Sequence, residues 1–265
     1  MNPHLLIAIT VVLATLIHFP ALRCQEPRPY DICRESIECG DIDFEYPFWG
    51  LTRPVYCGHP DFQLTCQSDV PVLALGPVNY RVLDTDLTTH TITIARNDLW
   101  SNICPQYLHN TTYNSTLFDG NNFGQENVSL YYGCQDNIPS LPVMWPLAET
   151  FRFDCDVNGT GRTDSYFYRT SLVVQNIANV LVKCDNHITV PVDGSYANIG
   201  SENDLRSGLQ AGFKLRWMAN NDECDRCVRA DGQCGSNSTL PELFACYHSE
   251  GGKWFSYLGL IHLWV

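Results

Sequence analysis

The first 100 residues hold the side chains best suited to recognition chemistry. Tyr46, Phe48, Trp49, Tyr56, Phe62, Tyr80 and Trp100 supply flat faces on which sugar rings can stack, and Arg53, His59, Arg81 and Arg96 can pair with carboxylates. Arginine suits the second task best, because its planar fork grips a carboxylate through two parallel hydrogen bonds. The same residues have a competing structural use. In a small cysteine-rich fold Phe48 and Trp49 serve equally as core, and Arg53 and Arg96 as braces for turns.

Other chemistries find less support. Cys224, Cys227, Cys234, Cys246 and His248 match zinc ligands by type. In a chain this rich in cysteine, disulfides account for the thiols better, and no metal site is expected. Asp84 and Asp86 form a carboxylate pair by type but fall in a polar stretch where Asp favours turns. The sequence has no G-x-S-x-G elbow, no glycine-rich phosphate loop, no VAIK lysine, no HRD loop and no DFG. The expectation is a binding protein and not an enzyme.

The elements that position these residues are those of an exported chain. Leu5 to Phe19 is one apolar run of signal-peptide length, and Ala21 to Cys24 supplies a cleavage zone, so residues 1–24 are expected to be removed. Twelve of the 13 cysteines then remain: Cys33, Cys39, Cys57, Cys66, Cys104, Cys134, Cys155, Cys184, Cys224, Cys227, Cys234 and Cys246. An even set spread along the chain reads as a disulfide framework formed in an oxidising compartment, with its pairing open. Sequons at Asn110, Asn114, Asn127, Asn158 and Asn237 predict glycosylated surface loops. A net charge of −13 argues against nucleic acid and anionic membrane surfaces as partners. Residues 249–265 form an apolar tail. Its run from Trp254 to Val265 is too short to span a bilayer and reads as the opening of a truncated membrane segment.

A seam rich in Asn, Thr and Gly, residues 109–130, divides the mature chain into modules at 30–108 and 131–248. In the first, Pro71 to Leu75, Val78 to Leu83 and Thr91 to Ala95-Arg96 read as a three-strand meander, with a polar bridge from Asp84 to His90. In the second, Thr150 to Cys155, Leu181 to Cys184, Ile188 to Val192 and Phe213 to Trp217 read as strands. Ser201 to Ala211 reads as a helix capped by Ser201 and stopped by Gly212. The expected class is mainly β with short helices, as small α+β modules in a disulfide-rich, two-module extracellular architecture.

Several multi-residue motifs then occur in a recognisable order. They are Cys39-Gly40, Tyr46-Pro47-Phe48-Trp49-Gly50, Arg53-Pro54-Val55-Tyr56-Cys57-Gly58-His59-Pro60 and Phe62-Gln63-Leu64-Thr65-Cys66. Tyr80-Arg81-Val82-Leu83, Ala95-Arg96-Asn97-Asp98-Leu99-Trp100 and Cys104-Pro105 continue the pattern. This stretch resembles the galacturonan-binding domain of plant wall-associated receptor kinases, and most closely their leaf-rust-resistance branch. The later motifs Tyr132-Gly133-Cys134, Phe153-Asp154-Cys155, Val190-Pro191-Val192, Cys224-Asp225-Arg226-Cys227, Gly232-Gln233-Cys234-Gly235 and Phe244-Ala245-Cys246 resemble the cysteine-rich domain that follows in the same receptors. Where the family closes with Cys-x-Cys, this chain has His248 as the second member.

The resemblance implies binding of pectic galacturonan at the cell wall, in a protein related to plasma-membrane-anchored receptors but without a kinase. Charge opposes that ligand, since residues 25–108 hold five Arg, no Lys and twelve acidic residues. Binding of pectate then requires either that the arginines gather on one face or that Ca²⁺ bridges the carboxylates. The alternative partner is a protein or peptide, such as a co-receptor in defence signalling.

Overall fold

The computed structural model describes residues 27–134, 151–156, 164–170, 183–196, 199–249 and, for the backbone, 253–255. The signal segment and Asn158 lie outside the described residues. Among the described residues the fold is mainly β, with three short helices and six disulfides.

A short helix α1 (Pro29–Cys33) and the hairpin β1 (Ile37–Cys39)–β2 (Ile42–Phe44) lead to a 3-10 turn at Val55–Cys57. Four strands follow as an antiparallel meander: β3 (Leu64–Gln67), β4 (Val70–Leu75), β5 (Val78–Asp86) and β6 (Thr91–Arg96). Alternation decides their faces, with Val78, Tyr80, Val82, Ile92 and Ile94 all buried on one side. The β5–β6 turn forms because the Asp86 carboxylate accepts the N–H groups of Thr88 and Thr89, at 2.8 and 3.2 Å. Asp84 and Asp86 therefore belong to the strand, and the turn proper begins at Leu87.

The remaining elements do not respect the seam at 109–130. Strand β7 (Phe118–Asp119) and the first half of β8 (Glu126–Cys134) lie inside it, and Val128 and Leu130 are fully buried. An Asn-rich composition hid a strand whose inward residues are apolar. Strand β12 (Phe213–Trp217) returns from the second segment to pair with β6, and β7 pairs with β12. The sheet order is thus β3-β4-β5-β6-β12-β7. A second antiparallel sheet has the order β11-β8-β10-β9, from β9 (Arg152–Asp154), β10 (Asp164–Arg169) and β11 (Cys184–Val192). The two runs expected around 181–192 meet here in one strand from Cys184 onward.

Helix α2 (Glu202–Ala211) starts where Ser201 Oγ accepts the Asp204 N–H at 3.2 Å, and it buries Leu205 and Leu209. It ends at Gly212, whose φ of +70° suits glycine. A Cβ there would sit 2.2 Å from the Ile94 carbonyl oxygen, so only glycine lets β12 start flush against β6. Helix α3 (Asn221–Arg229), which the sequence reading missed, carries Cys224 and Cys227. It packs on the hairpin β13 (Gln233–Ser236)–β14 (Phe244–Tyr247), and β15 (Lys253–Phe255) adds to β14. The tail expected from 249 thus contributes backbone pairing at its start.

Two main cores result. The first joins the inner face of the six-stranded sheet to Phe44, Phe48, Phe62 and Trp217, with Phe48 making edge-to-face contacts to the other three at 5.4 to 5.8 Å. Cys227, Cys234 and Cys246, from the second segment, pack into it. The second core gathers Val128, Leu130, Phe167, Ile188, Val190, Leu205 and Leu209, and takes Leu99 and Ile103 from the first segment. Burial across the seam in both directions makes the two sequence modules interleaved layers.

Candidate ligand-binding face

The outer face of the six-stranded sheet is where recognition residues and solvent meet. Register sets Thr65, Val72, Arg81 and Ala95 in one row across β3 to β6, opposite in facing to Leu64, Leu73, Tyr80 and Ile94. Within that row Thr65 is exposed and Arg81 half-buried, while Val72 and Ala95 are buried. The next row holds Ala74 and Asn79, with Asn97 joined through its N–H to the Asn79 carbonyl at 3.0 Å. Gln63 and Gln67 flank Thr65 on the same side of β3, and the Gln67 amide reaches the Thr65 hydroxyl at 3.5 Å. Gln63, Thr65, Gln67, Ala74 and Asn79 are exposed. The exposed part of the face, at β3 and the β4–β5 turn, is therefore rich in amides and hydroxyls.

Its charged feature is Arg81. The guanidinium lies 4.6 Å from the centroid of the Trp100 ring, and its Nε donates to Asn97 Oδ1 at 2.8 Å. Trp100 is itself held through its carbonyl, which accepts from the Gln210 amide of α2 at 2.9 Å. Stacking and one hydrogen bond fix the fork without consuming it, because the terminal nitrogens of Arg81 have no partner among the described residues. No described carboxylate lies within ion-pair distance of Arg81. Further along the same face Asp84 and Asp86 stand across Thr93 and Thr91 from Lys214 and Arg216, so opposite charges alternate there. The acidic surplus of the segment thus leaves Arg81 unopposed.

The other sequence candidates are placed differently. Arg96, 1% exposed, grips Asp98 through Nε at 3.0 Å and Nη2 at 2.6 Å, and also donates to the His109 carbonyl. Arg53, 4% exposed, donates to the carbonyls of Cys57 and Glu35, and burial pushes its pKa down to about 10. Both brace loops. Tyr46 is buried in the first core, where desolvation pushes its phenol well above the usual range. Trp49 is half-buried, with its indole N–H on the Pro60 carbonyl at 3.1 Å. His59 lies edge-on to Phe62 at 5.3 Å, and burial pushes its ring pKa below the ordinary value against the opposing pull of Asp61. Tyr56 packs edge-on to Tyr247 at 6.4 Å. Of the eight candidates, only Arg81 and Trp100 are brought together at the surface. Gln63, Gln67, Asn79 and Asn97 were missed. The i, i+2 spacing of Gln63, Thr65 and Gln67 was their signal, obscured by Cys66.

The cysteines pair as Cys33–Cys57, Cys39–Cys66, Cys104–Cys155, Cys134–Cys184, Cys224–Cys234 and Cys227–Cys246. The zinc-type set is thereby spent on two bridges, with His248 Nε2 left 3.4 Å from Cys246 Sγ. Among the described residues no cluster of His, Cys, Asp or Glu could hold a metal ion, and no helix is long and apolar enough to cross a membrane.

Residues 33–96 match the wall-associated receptor kinase galacturonan-binding family, and residues 154–251 match the wall-associated receptor kinase C-terminal family. The chain is 29% identical over 237 residues to the leaf rust 10 disease-resistance locus receptor-like protein kinase-like 2.5 of Arabidopsis thaliana, covering 83% of this chain and 34% of that protein. To the like 2.1 protein of the same plant it is 28% identical over 227 residues, covering 81% and 33% respectively. The chain thus spans about a third of the length of the curated relatives it matches. No solved structure matches. The chain is thus similar, in this order, to the galacturonan-binding and C-terminal domains of wall-associated receptor kinases.

Proposed function

We propose that the protein is a non-catalytic, extracellular binding module for pectic galacturonan, which lies along the outer face of the six-stranded sheet. The observation that carries this reading is the Arg81–Trp100 pair, a cation with free N–H donors fixed over an aromatic ring, with Arg81 inside the segment that matches the galacturonan-binding family and Trp100 just beyond it. A uronate carboxylate takes the terminal nitrogens of Arg81 in a charge-assisted, bidentate grip. Sugar hydroxyls exchange hydrogen bonds with Gln63, Thr65, Gln67 and Asn79, which can both donate and accept. The net charge of −13 works against a polyanion at long range, so Ca²⁺ strengthens the complex by bridging pectate to surface carboxylates.

The test is equilibrium binding of the oxidised, glycosylated protein to polygalacturonate, fully methyl-esterified pectin and a neutral glucan. Selective binding of the unesterified polymer that weakens with salt supports the reading. Equal binding to all three, or to none with or without Ca²⁺, removes it and leaves a protein partner as the better account.

A further inference from the structure

A cleft of about 370 Å³ opens between the β5–β6 turn, helix α3 and the segment around Arg53, and it shares no residue with the Arg81 face. Arg53, Tyr46 and Trp217 form its depth, at 4%, 8% and 1% exposure, while Leu87 and Val228 stand at its mouth, 41% and 58% exposed, beside Arg229. This is the size range of small-molecule sites.

Arg53 is the group that needs explaining. Buried cations are normally paired with an anion. Arg53 has only carbonyl partners: Nε and Nη2 donate to Cys57 at 3.3 and 3.0 Å, and Nη1 to Glu35 at 2.6 Å. A guanidinium has five N–H donors, so two remain unspent among the described residues. No described carboxylate lies within ion-pair distance, and Glu45 acts on it only from further away. With its pKa lowered to about 10, Arg53 still carries its charge at neutral pH. The cleft therefore ends at a fixed cation with no ion-pair partner among the described residues, and its walls mix the apolar Leu87, Trp217 and Val228 with the polar Thr88, Asn221 and Gln233.

The charges around the cleft narrow the ligand. Glu45 and Asp225 also line it, and Asp225 is tied to His90 Nε2 at 3.2 Å. A polyuronate would bring further carboxylates against these two, whereas a single carboxylate on an apolar body would not. We propose that the cleft binds a small apolar monocarboxylate, with the carboxylate on Arg53 in the depth, the apolar body against Leu87 and Val228 at the mouth, and Arg229 beside them adding attraction for the anion. The carboxylate belongs either to a free acid or to the carboxy terminus of a peptide, and the proposal does not depend on galacturonan binding elsewhere.

The test uses the full oxidised protein and two acid–amide pairs, phenylacetate with phenylacetamide and alanyl-alanyl-leucine with its amide, followed by ligand-observed NMR and calorimetry. At least one acid is expected to bind with a Kd near or below about 1 mM, and its amide about tenfold or more weaker. Phenylacetate binding identifies a free acid as sufficient, and binding of the tripeptide acid alone identifies a peptide terminus. Arg53→Gln should abolish binding but can compromise folding. The surface variants Val228→Asp and Arg229→Gln therefore serve as the check, expected to weaken the acid about tenfold and about threefold respectively, with polygalacturonate binding unchanged. Equal affinity for acid and amide, no binding of either acid, or wild-type affinity in both surface variants overturns the proposal.

Discussion

The buried guanidinium of Arg96 closes through two hydrogen bonds on Asp98, whose carboxylate is a third exposed, and the guanidinium of Arg81 lies over Trp100 with its terminal donors open. On the proposed function the same side chain serves stability in one place and recognition in the other, and substitution should separate the two. Arg96→Gln removes charge-assisted hydrogen bonds to a partly exposed carboxylate and to the His109 carbonyl, and should cost about 2 kcal/mol in urea unfolding. Arg81→Gln gives up a half-exposed cation–π contact worth about 0.5–1 kcal/mol, so its effect should appear in ligand affinity. His59 supplies a pH signature. Burial holds its folded pKa below the ordinary value, so the unfolded chain binds more protons as pH falls through about 6.5. Stability contributed at neutral pH is lost on acidification and the loss is complete below the folded pKa. In thermal unfolding between pH 7 and 5, His59→Gln should show a smaller decline than wild type, and an unchanged decline would assign the effect elsewhere.

At the scale of elements, local sequence signals and tertiary pairing agree where an element carries its own code. Thr91–Arg96 and Phe213–Trp217 were readable as strands from alternation, and Glu202–Ala211 as a helix from the Ser201 cap and the Gly212 stop. Removing that cap by Ser201→Ala should cost about 1 kcal/mol, with β12 unaffected. Gly212→Val should cost more, because its side chain meets the Ile94 carbonyl and unseats β12 from β6. Loss of amide-exchange protection in Phe213 to Trp217 would show this directly. Where tertiary burial alone makes the element, sequence gave no sign. The strand from Glu126 looks like a polar loop until Val128 and Leu130 are seen to face a core, and α3 is short and highly polar outside its cysteines. The ligand face was half readable. Arg81 and Trp100 were recognisable by type, but their juxtaposition, and the burial of Arg53, Arg96 and Tyr46, depend on packing that no local pattern encodes.

For the whole molecule, the interleaving of the two sequence segments is the main consequence of the fold. Cys104–Cys155 ties one segment to the other across a separation of 51 residues, a constraint worth about 4 kcal/mol in the chain-entropy view. The first core also needs Trp217, Phe213 and Leu215 from beyond the seam. A fragment of residues 27–108 should therefore fail to give dispersed NMR spectra, and a well-folded fragment would contradict the interleaved description. The polymer reading belongs to this scale too, since a net-acidic protein binds a polyanion only if one face escapes the overall charge or Ca²⁺ bridges the carboxylates. The measurement that tests this most directly is the affinity of wild type, Arg81→Gln and Arg96→Gln for polygalacturonate at fixed salt and Ca²⁺, each checked for folding. The account predicts that Arg81→Gln, fully folded, loses about tenfold or more in affinity, while Arg96→Gln, though less stable, binds as wild type wherever it is folded. Unchanged affinity in Arg81→Gln would contradict it.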